Sequence, residues 1–184
     1  DRGEEALTEA SPRGTGFLAD VCVAWEDATR DAEQAGLRVA HARTGIVLAR
    51  SDGLLARLLP LFQVGLGGRI GSGRQFMSWI SLTDEVAALA WMIDNDVAGP
   101  VNLVAPGAVT NTEFSRSLGK VLRRPARLPV PPLGPALLYG RHLVRELMLA
   151  STLVLPEVLS GGGFQFAHLS VNEALVETIR GSAA

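Results

Sequence analysis

Residues 65–86, GLGGRIGSGRQFMSWISLTDEV, place five glycines in nine positions and then run into an aromatic stretch. Two readings compete: a phosphate-cradling loop of a nucleotide enzyme, or a bend that shapes a substrate pocket. A Rossmann fingerprint needs G-x-G-x-x-G after a strand and opening a helix, so that a pyrophosphate meets helix amides. Gly65, Gly67, Gly68, Gly71 and Gly73 do not give that spacing, and QFMSWISL (75–82) alternates as a strand. A Walker A loop ends in Gly-Lys-Ser/Thr, whereas the single lysine, Lys120, sits in GKV. The stretch is therefore expected to be a conformationally demanding connection with positive φ at its glycines.

Working outward, GLLARLLPLFQVG (53–65) predicts a helix kinked or restarted at Pro60. LRVAHARTGIVLA (37–49) is a β-rich run with a glycine inside it. Before it, 17–35 carries Phe17, Leu18, Val21, Cys22, Trp25 and Ala28 at helical spacing, with Gly36 as the stop. Cys22, on the apolar side, reads as a small core residue. Downstream, 84–95 predicts a helix capped by Ser81 or Thr83, and 99–105 a strand. Thr110 and Glu113 form a capping box for a helix to about Arg123, followed by an edge-type strand in ARLPVP (126–131). A long apolar helix is expected at 133–150, a short one near Pro156, a turn at GGGF (161–164) and a short strand at FQF (164–166). Ser170 and Glu173 cap a final helix. Strands alternating with helices argue for an α/β fold.

With 184 residues the chain is long enough for one ordinary domain with its own core. A hydrophobic share of 47% and a mean hydropathy of +0.23 exclude a disordered chain. A net charge of −2 gives no sign of a nucleic-acid or anionic-membrane partner. The one cysteine excludes an internal disulfide and a multi-cysteine zinc site, and suits a reducing cytoplasm. No apolar run reaches the roughly 18 residues of a membrane span, and 130–156 is interrupted by Arg141, His142, Arg145 and Glu146. A soluble, cytoplasmic protein is expected. The opening DRGEEALTEASPRGTG (1–16) reads as a polar loop arriving from something earlier.

Candidate chemistry is sparse. His41, His142 and His168 are far apart and show no metal-ligand spacing, so each reads as a structural or surface histidine. Asp84 and Glu85 are adjacent, diverge on a helix, and are explained by its N-terminal dipole. No catalytic residue and no metal site emerge. Arg43 ends an apolar strand just before Thr44 and Gly45, where α/β proteins place ligands, and Arg74 with Gln75 borders the glycine turn.

The succession RTGIVL, LPLFQVGLGGRIGSGRQFMSWISLTDEV, GPVNLVAPGAVTNTEF, RRPARLPVP and GFQF resembles the atypical, epimerase-annotated branch of the extended short-chain dehydrogenase/reductase superfamily. The resemblance covers nearly the whole chain. It implies a partial Rossmann-type sheet with a smaller mixed α/β substrate domain. Residues 1–50 would hold the last Rossmann elements, 51–130 the substrate-pocket segment and 131–184 a helical closing domain. In that family the G-x-x-G-x-x-G loop for NADP(H) belongs to an N-terminal half. The resemblance thus makes this a C-terminal portion that does not bind NADP(H) tightly alone. Residue by residue, Arg43, Gly45, Ile46 and Val47 match the segment facing the nicotinamide end. Arg74, Gln75, Ser78 and Trp79 match the wall of a small-molecule substrate pocket, and Asp84 matches the aspartate opening the next helix, where capping is its expected role.

Two departures qualify the resemblance. The family's Y-x-x-x-K pair falls on the helix at 17–35, where Val21/Trp25 or Cys22/Glu26 stand instead, and neither supplies a phenol activated by an ammonium. Tyr139 and Lys120 lie elsewhere. The arginine of an R-D-F segment, which grips a sugar-nucleotide phosphate, is replaced by Met77 in Met77-Ser78-Trp79, and Arg74 is three positions away on an alternating strand. A competing reading is a non-catalytic module that forms homo-oligomers or binds a partner, such as a missing N-terminal half, through an incomplete sheet and apolar helices.

Overall fold

The computed structural model describes residues 1–126, 129–130 and 149–181. The chain enters through a short strand, β1 (Ala6–Leu7), and then forms α1 (Phe17–Asp27) and α2 (Arg30–Gln34), where the periodicity predicted one helix. Cys22 is exposed, and no residue of α1 is buried. The expectation of a core cysteine is therefore corrected: the apolar side of α1 is at most half-buried, at Leu18, Val21 and Val23.

The run at 37–49 is two strands. β2 (Ala40–Thr44) and β3 (Ile46–Leu48) are separated at Gly45, where the chain changes partners. The Gly45 amide donates to Leu103 O at 3.0 Å and the Ile46 amide to Ser78 O at 2.9 Å. α3 (Gly53–Gln63) runs through Pro60 unbroken, so the predicted restart is not seen. Pro60 lies on the exposed side, while Leu55, Leu59 and Phe62 anchor the buried side. Asp52 caps this helix by accepting from the Gly53 amide.

The glycine turn has the expected positive φ at three of its five glycines. Gly65, Gly71 and Gly73 have φ of 78°, 58° and 71°, and a Cβ at Gly67 would lie 2.3 Å from the Phe62 ring. The following strand breaks at Ser78. β4 (Phe76–Met77) pairs antiparallel with β7 (Val109–Thr110), whereas β5 (Trp79–Ser81) pairs parallel with β3. β6 (Gly99–Leu103) runs parallel to β2, with Ala40 opposite Gly99 and Thr44 opposite Leu103. β8 (Leu153–Val154) is parallel to β1.

The remaining helices start where the sequence put their caps. α4 (Leu82–Asp94) is capped by Ser81. α5 (Asn111–Leu122) and α7 (Val171–Arg180) open with the capping boxes Thr110/Glu113 and Ser170/Glu173. Accepting the Thr110 amide holds the Glu113 carboxyl below the usual glutamate range. Between them lies α6 (Glu157–Gly161). FQF is not a strand: Phe164 is buried and meets Trp91 and Phe166 edge-on, at ring separations of 6.1 and 4.8 Å. Of the strand expected at 126–131, Val130 makes one bridge with Ile70, and the helix expected at 133–150 lies almost wholly outside the described residues.

Two cores result. One gathers Leu48, Leu55, Phe62, Trp79, Phe114, Leu118 and Leu175 between α3, α5 and α7, drawing on all three expected segments. The other gathers Ile80, Ala88, Met92, Val101, Leu103 and Leu159 around β6, α4 and α6. Side-chain contacts of β2 show a layered arrangement. His41 and Arg43 reach α1 and its C-terminal flank, while Thr44 reaches α4. The structure is α/β, as the alternation predicted.

Candidate functional site

The carboxyl end of β2 lies beside that of β6, and Gly45 carries the chain across from one parallel pair to the other. A Cβ at Gly45 would stand 2.7 Å from Val104 Cγ1 and 2.8 Å from Ser78 O, so only glycine permits this crossing. Ile46 and Val47 pack against the two cores from β3.

Arg43 is committed within the chain. Its Nε and Nη2 donate to the two carboxylate oxygens of Glu26 at 2.7 and 2.8 Å, tying β2 to α1. This bidentate pair holds the Glu26 carboxyl below the usual range and raises the arginine. On the other face of β2, the exposed Thr44 hydroxyl donates to Glu85 Oε1 at 2.9 Å. Glu85 is buried, its Oε2 has no hydrogen-bond partner among the described residues, and burial pushes its carboxyl up against the opposing pull of Thr44. Glu9 ties the start of the chain to this region: its Oε1 accepts from the Asn102 amide of β6 and the Val158 amide of α6.

The residues expected to line a pocket are brought close together, but three of the four are buried. Ser78 donates to Thr152 O at 2.7 Å and accepts from the Val154 amide at 2.9 Å. Trp79 is fully buried, with its indole nitrogen donating to Gly107 O at 2.7 Å. Gln75 is buried and its amide group donates to Ile70 O. Only Arg74 is exposed. Ser78 and Trp79 therefore brace the crossing at Gly45 from behind, because the break at Ser78 turns its hydroxyl toward β8. Asp84 does not cap α4, a task left to Ser81. It accepts from the Ala167 and His168 amides at 2.7 and 3.1 Å and from the Ser81 hydroxyl at 2.7 Å.

His168 is buried, as a structural histidine should be. Its Nδ1 faces Ser81 Oγ and Asp84 Oδ2 at 3.1 and 3.3 Å, and its Nε2 faces Glu177 Oε2 at 2.6 Å. Reading the sequence did not bring Glu9 into the picture, gave Glu85 only a helix-dipole role, and named His168 as structural or surface without its partners. For Glu85 a signal existed: it shares a spacing of three and four with Ala88 and Met92, the buried side of α4. Glu9 and His168 have no comparable local signal. Among the described residues no cluster fits a metal ion, and no helix is long and apolar enough to cross a membrane.

The spacing of Gly65, Gly68 and Gly71 does match G-x-x-G-x-x-G literally. Its surroundings do not: the turn leads into β4 and not into a helix, and the amides of Gly71 and Gly73 donate to Val130 O and Ile70 O. It is a structural turn.

No family model matches the chain. An epimerase family protein of Mycobacterium bovis is 47% identical over 173 residues, which make up 94% of this chain and 57% of that protein. The crystal structure of human epimerase family protein SDR39U1 (isoform 2) with NADPH is 33% identical and superposes with a TM-score of 0.87, covering 95% of this chain and 59% of that one. Thermus thermophilus UDP-glucose 4-epimerase, in complex with NAD, shares the fold alone: 19% identity, a TM-score of 0.72, and coverage of 97% and 57%. This chain thus spans a little under three fifths of the mycobacterial and human relatives. By sequence and by fold, the chain belongs to the epimerase family, an atypical branch of the short-chain dehydrogenases/reductases.

Proposed function

We propose that the chain forms the substrate-facing part of an NADP(H)-dependent oxidoreductase or epimerase acting on a small organic molecule. One observation carries this reading: a glycine-only crossing at the carboxyl ends of β2 and β6, in a chain that superposes on a relative solved with NADPH. On this reading 1–50 closes a Rossmann-type sheet, 51–130 forms the pocket and 131–184 covers it. The nicotinamide end lies across Thr44 to Val47, and Arg43 anchors that segment without contacting the ligand. Arg74 and Gln75 border the substrate, while Ser78 and Trp79 hold the wall rigid.

The fit to the dinucleotide is partial. The Gly45 and Ile46 amides are used within the sheet, the space beside Gly45 is filled by Val104, and the glycine turn offers no helix N-terminus. The residues present suit one edge of the cofactor and not its phosphates, so no step of hydride transfer is derived from them. The test is a fluorescence titration with NADPH of this chain and of the same chain joined to the amino-terminal segment of the mycobacterial relative. Saturable binding is expected from the joined protein and not from this chain alone. A correctly folded joined protein that ignores NADPH would sink the proposal.

A second reading has its own observation. Phe17 and Trp25 on α1 are 72% and 73% exposed, and Leu82, Val86, Leu89 and Ile93 form an exposed stripe on α4. β2 pairs along one edge only among the described residues. These surfaces suit association with another copy or with a Rossmann half. Sedimentation velocity distinguishes the readings: self-association abolished by Trp25→Glu supports the module, and a monomer at high concentration counts against it.

A further inference from the structure

A cavity of about 410 Å³ lies between the glycine turn and α5, lined by Arg69, Thr112, Ser115, Arg116 and Ala126. We infer that it is a binding site for the phosphate group of a small phosphorylated molecule. The inference does not rest on the function proposed above, since it uses neither the Gly45 crossing nor a dinucleotide.

The cavity is built by the opening motif. Gly73, at φ 71°, leaves space that a Cβ would fill 2.2 Å from Thr112 Oγ1 and 3.0 Å from the Arg69 stem. Its missing side chain lets Arg69 lie along α5. Arg69 is half-buried and fixed by Nη1, which donates to Gly71 O and Ser72 O at 2.7 and 2.8 Å, leaving Nε and Nη2 unengaged among the described residues. Thr112, Ser115, Arg116 and Gly119 follow one another at helical spacing along one face of α5, and Ala126 folds back against Gly119.

Ser115 adds a hydroxyl to this lining. The residue is 3% exposed overall, yet its hydroxyl opens onto the cavity and makes no hydrogen bond among the described residues. The α5 amides do not supply the site, because the Asn111, Thr112 and Glu113 amides are taken by Gln75 O, Gly73 O and Thr110 Oγ1. Binding therefore falls to two guanidinium groups and one hydroxyl. Glu113, one turn before Arg116, is turned toward Thr110. Several converging donors suit the three terminal oxygens of a phosphate better than the two of a carboxylate.

The experiment is a titration of the protein with inorganic phosphate and with glycerol phosphate, followed by amide chemical shifts of residues 112–116. Saturable shifts are expected with both. Arg69→Gln and Arg116→Gln should each weaken binding about tenfold, and Ser115→Ala about fivefold. Lys120→Gln, the same charge change one turn further along α5, should leave it unaltered. Because Arg116 and Lys120 are both exposed, unchanged circular dichroism is expected for their variants. Absence of saturation overturns the site. So does equal weakening by Lys120→Gln, or succinate competing as well as phosphate.

Discussion

Two amphipathic helices, α1 and α7, share a sequence pattern and differ in what the fold does with it. α7 buries Val171, Ala174 and Leu175 against α5 and β5. α1 buries no residue fully, and polar contacts tie it and its C-terminal flank to β2: Glu26 to Arg43, and Thr29 to His41 at 2.9 Å. α7 begins with a capping box, whereas α1 follows Gly16 with no side-chain cap. Apolar periodicity identifies a helix and its sticky side, but whether that side is covered depends on elements distant in sequence.

The largest effect expected from this contrast is on core packing. Leu175→Ala should cost about 3 kcal/mol, and Trp25→Ala no more than about 0.5 kcal/mol, by urea unfolding. Equal costs would mean that the α1 face is covered in solution. His168→Ala should cost about 2 kcal/mol, because Asp84 on α4 and Glu177 on α7 lose the ring between them, with faster hydrogen exchange in α7 as the check. No change in that exchange would mean that apolar contacts alone hold α7.

Ser170→Ala should cost about 1 kcal/mol, the worth of a cap that α1 lacks. The smallest effect concerns acid. Arg43 holds the Glu26 carboxyl low, so this pair's contribution is present above the usual glutamate range and is lost as pH falls through the lowered value. The pair is exposed enough to limit it to about 0.5 kcal/mol. Amide exchange in α1, corrected for its intrinsic pH dependence, should therefore rise in acid, and Arg43→Gln should remove that rise. A variant that keeps it would mean that some other group loosens α1.

Much of the site was hidden for the same reason that α1 was misread as core-facing. Glu85 read only as a charge favoured by the helix dipole until β2 brought Thr44 over it. That Ser78 is buried was not legible because its partners, Thr152 and Val154, come from β8 and its leading residue some 75 positions later. Local signals fared better. The caps of α4, α5 and α7 needed residues three apart and nothing else, and they stand where the sequence put them.

By itself, the sequence determined the α/β alternation, the capped helix starts, and the glycine turn that leads into a strand. These depend on φ preferences, hydrogen bonds three residues apart and side-chain period, all short-range properties of the chain. The tertiary structure alone decided that Gly45 would be a crossing between two parallel strand pairs, that Arg43 would bind Glu26, and that Gly73 would open space between Arg69 and α5. Each depends on backbones or side chains that meet only after distant segments pack, and no local pattern encodes which segments those are.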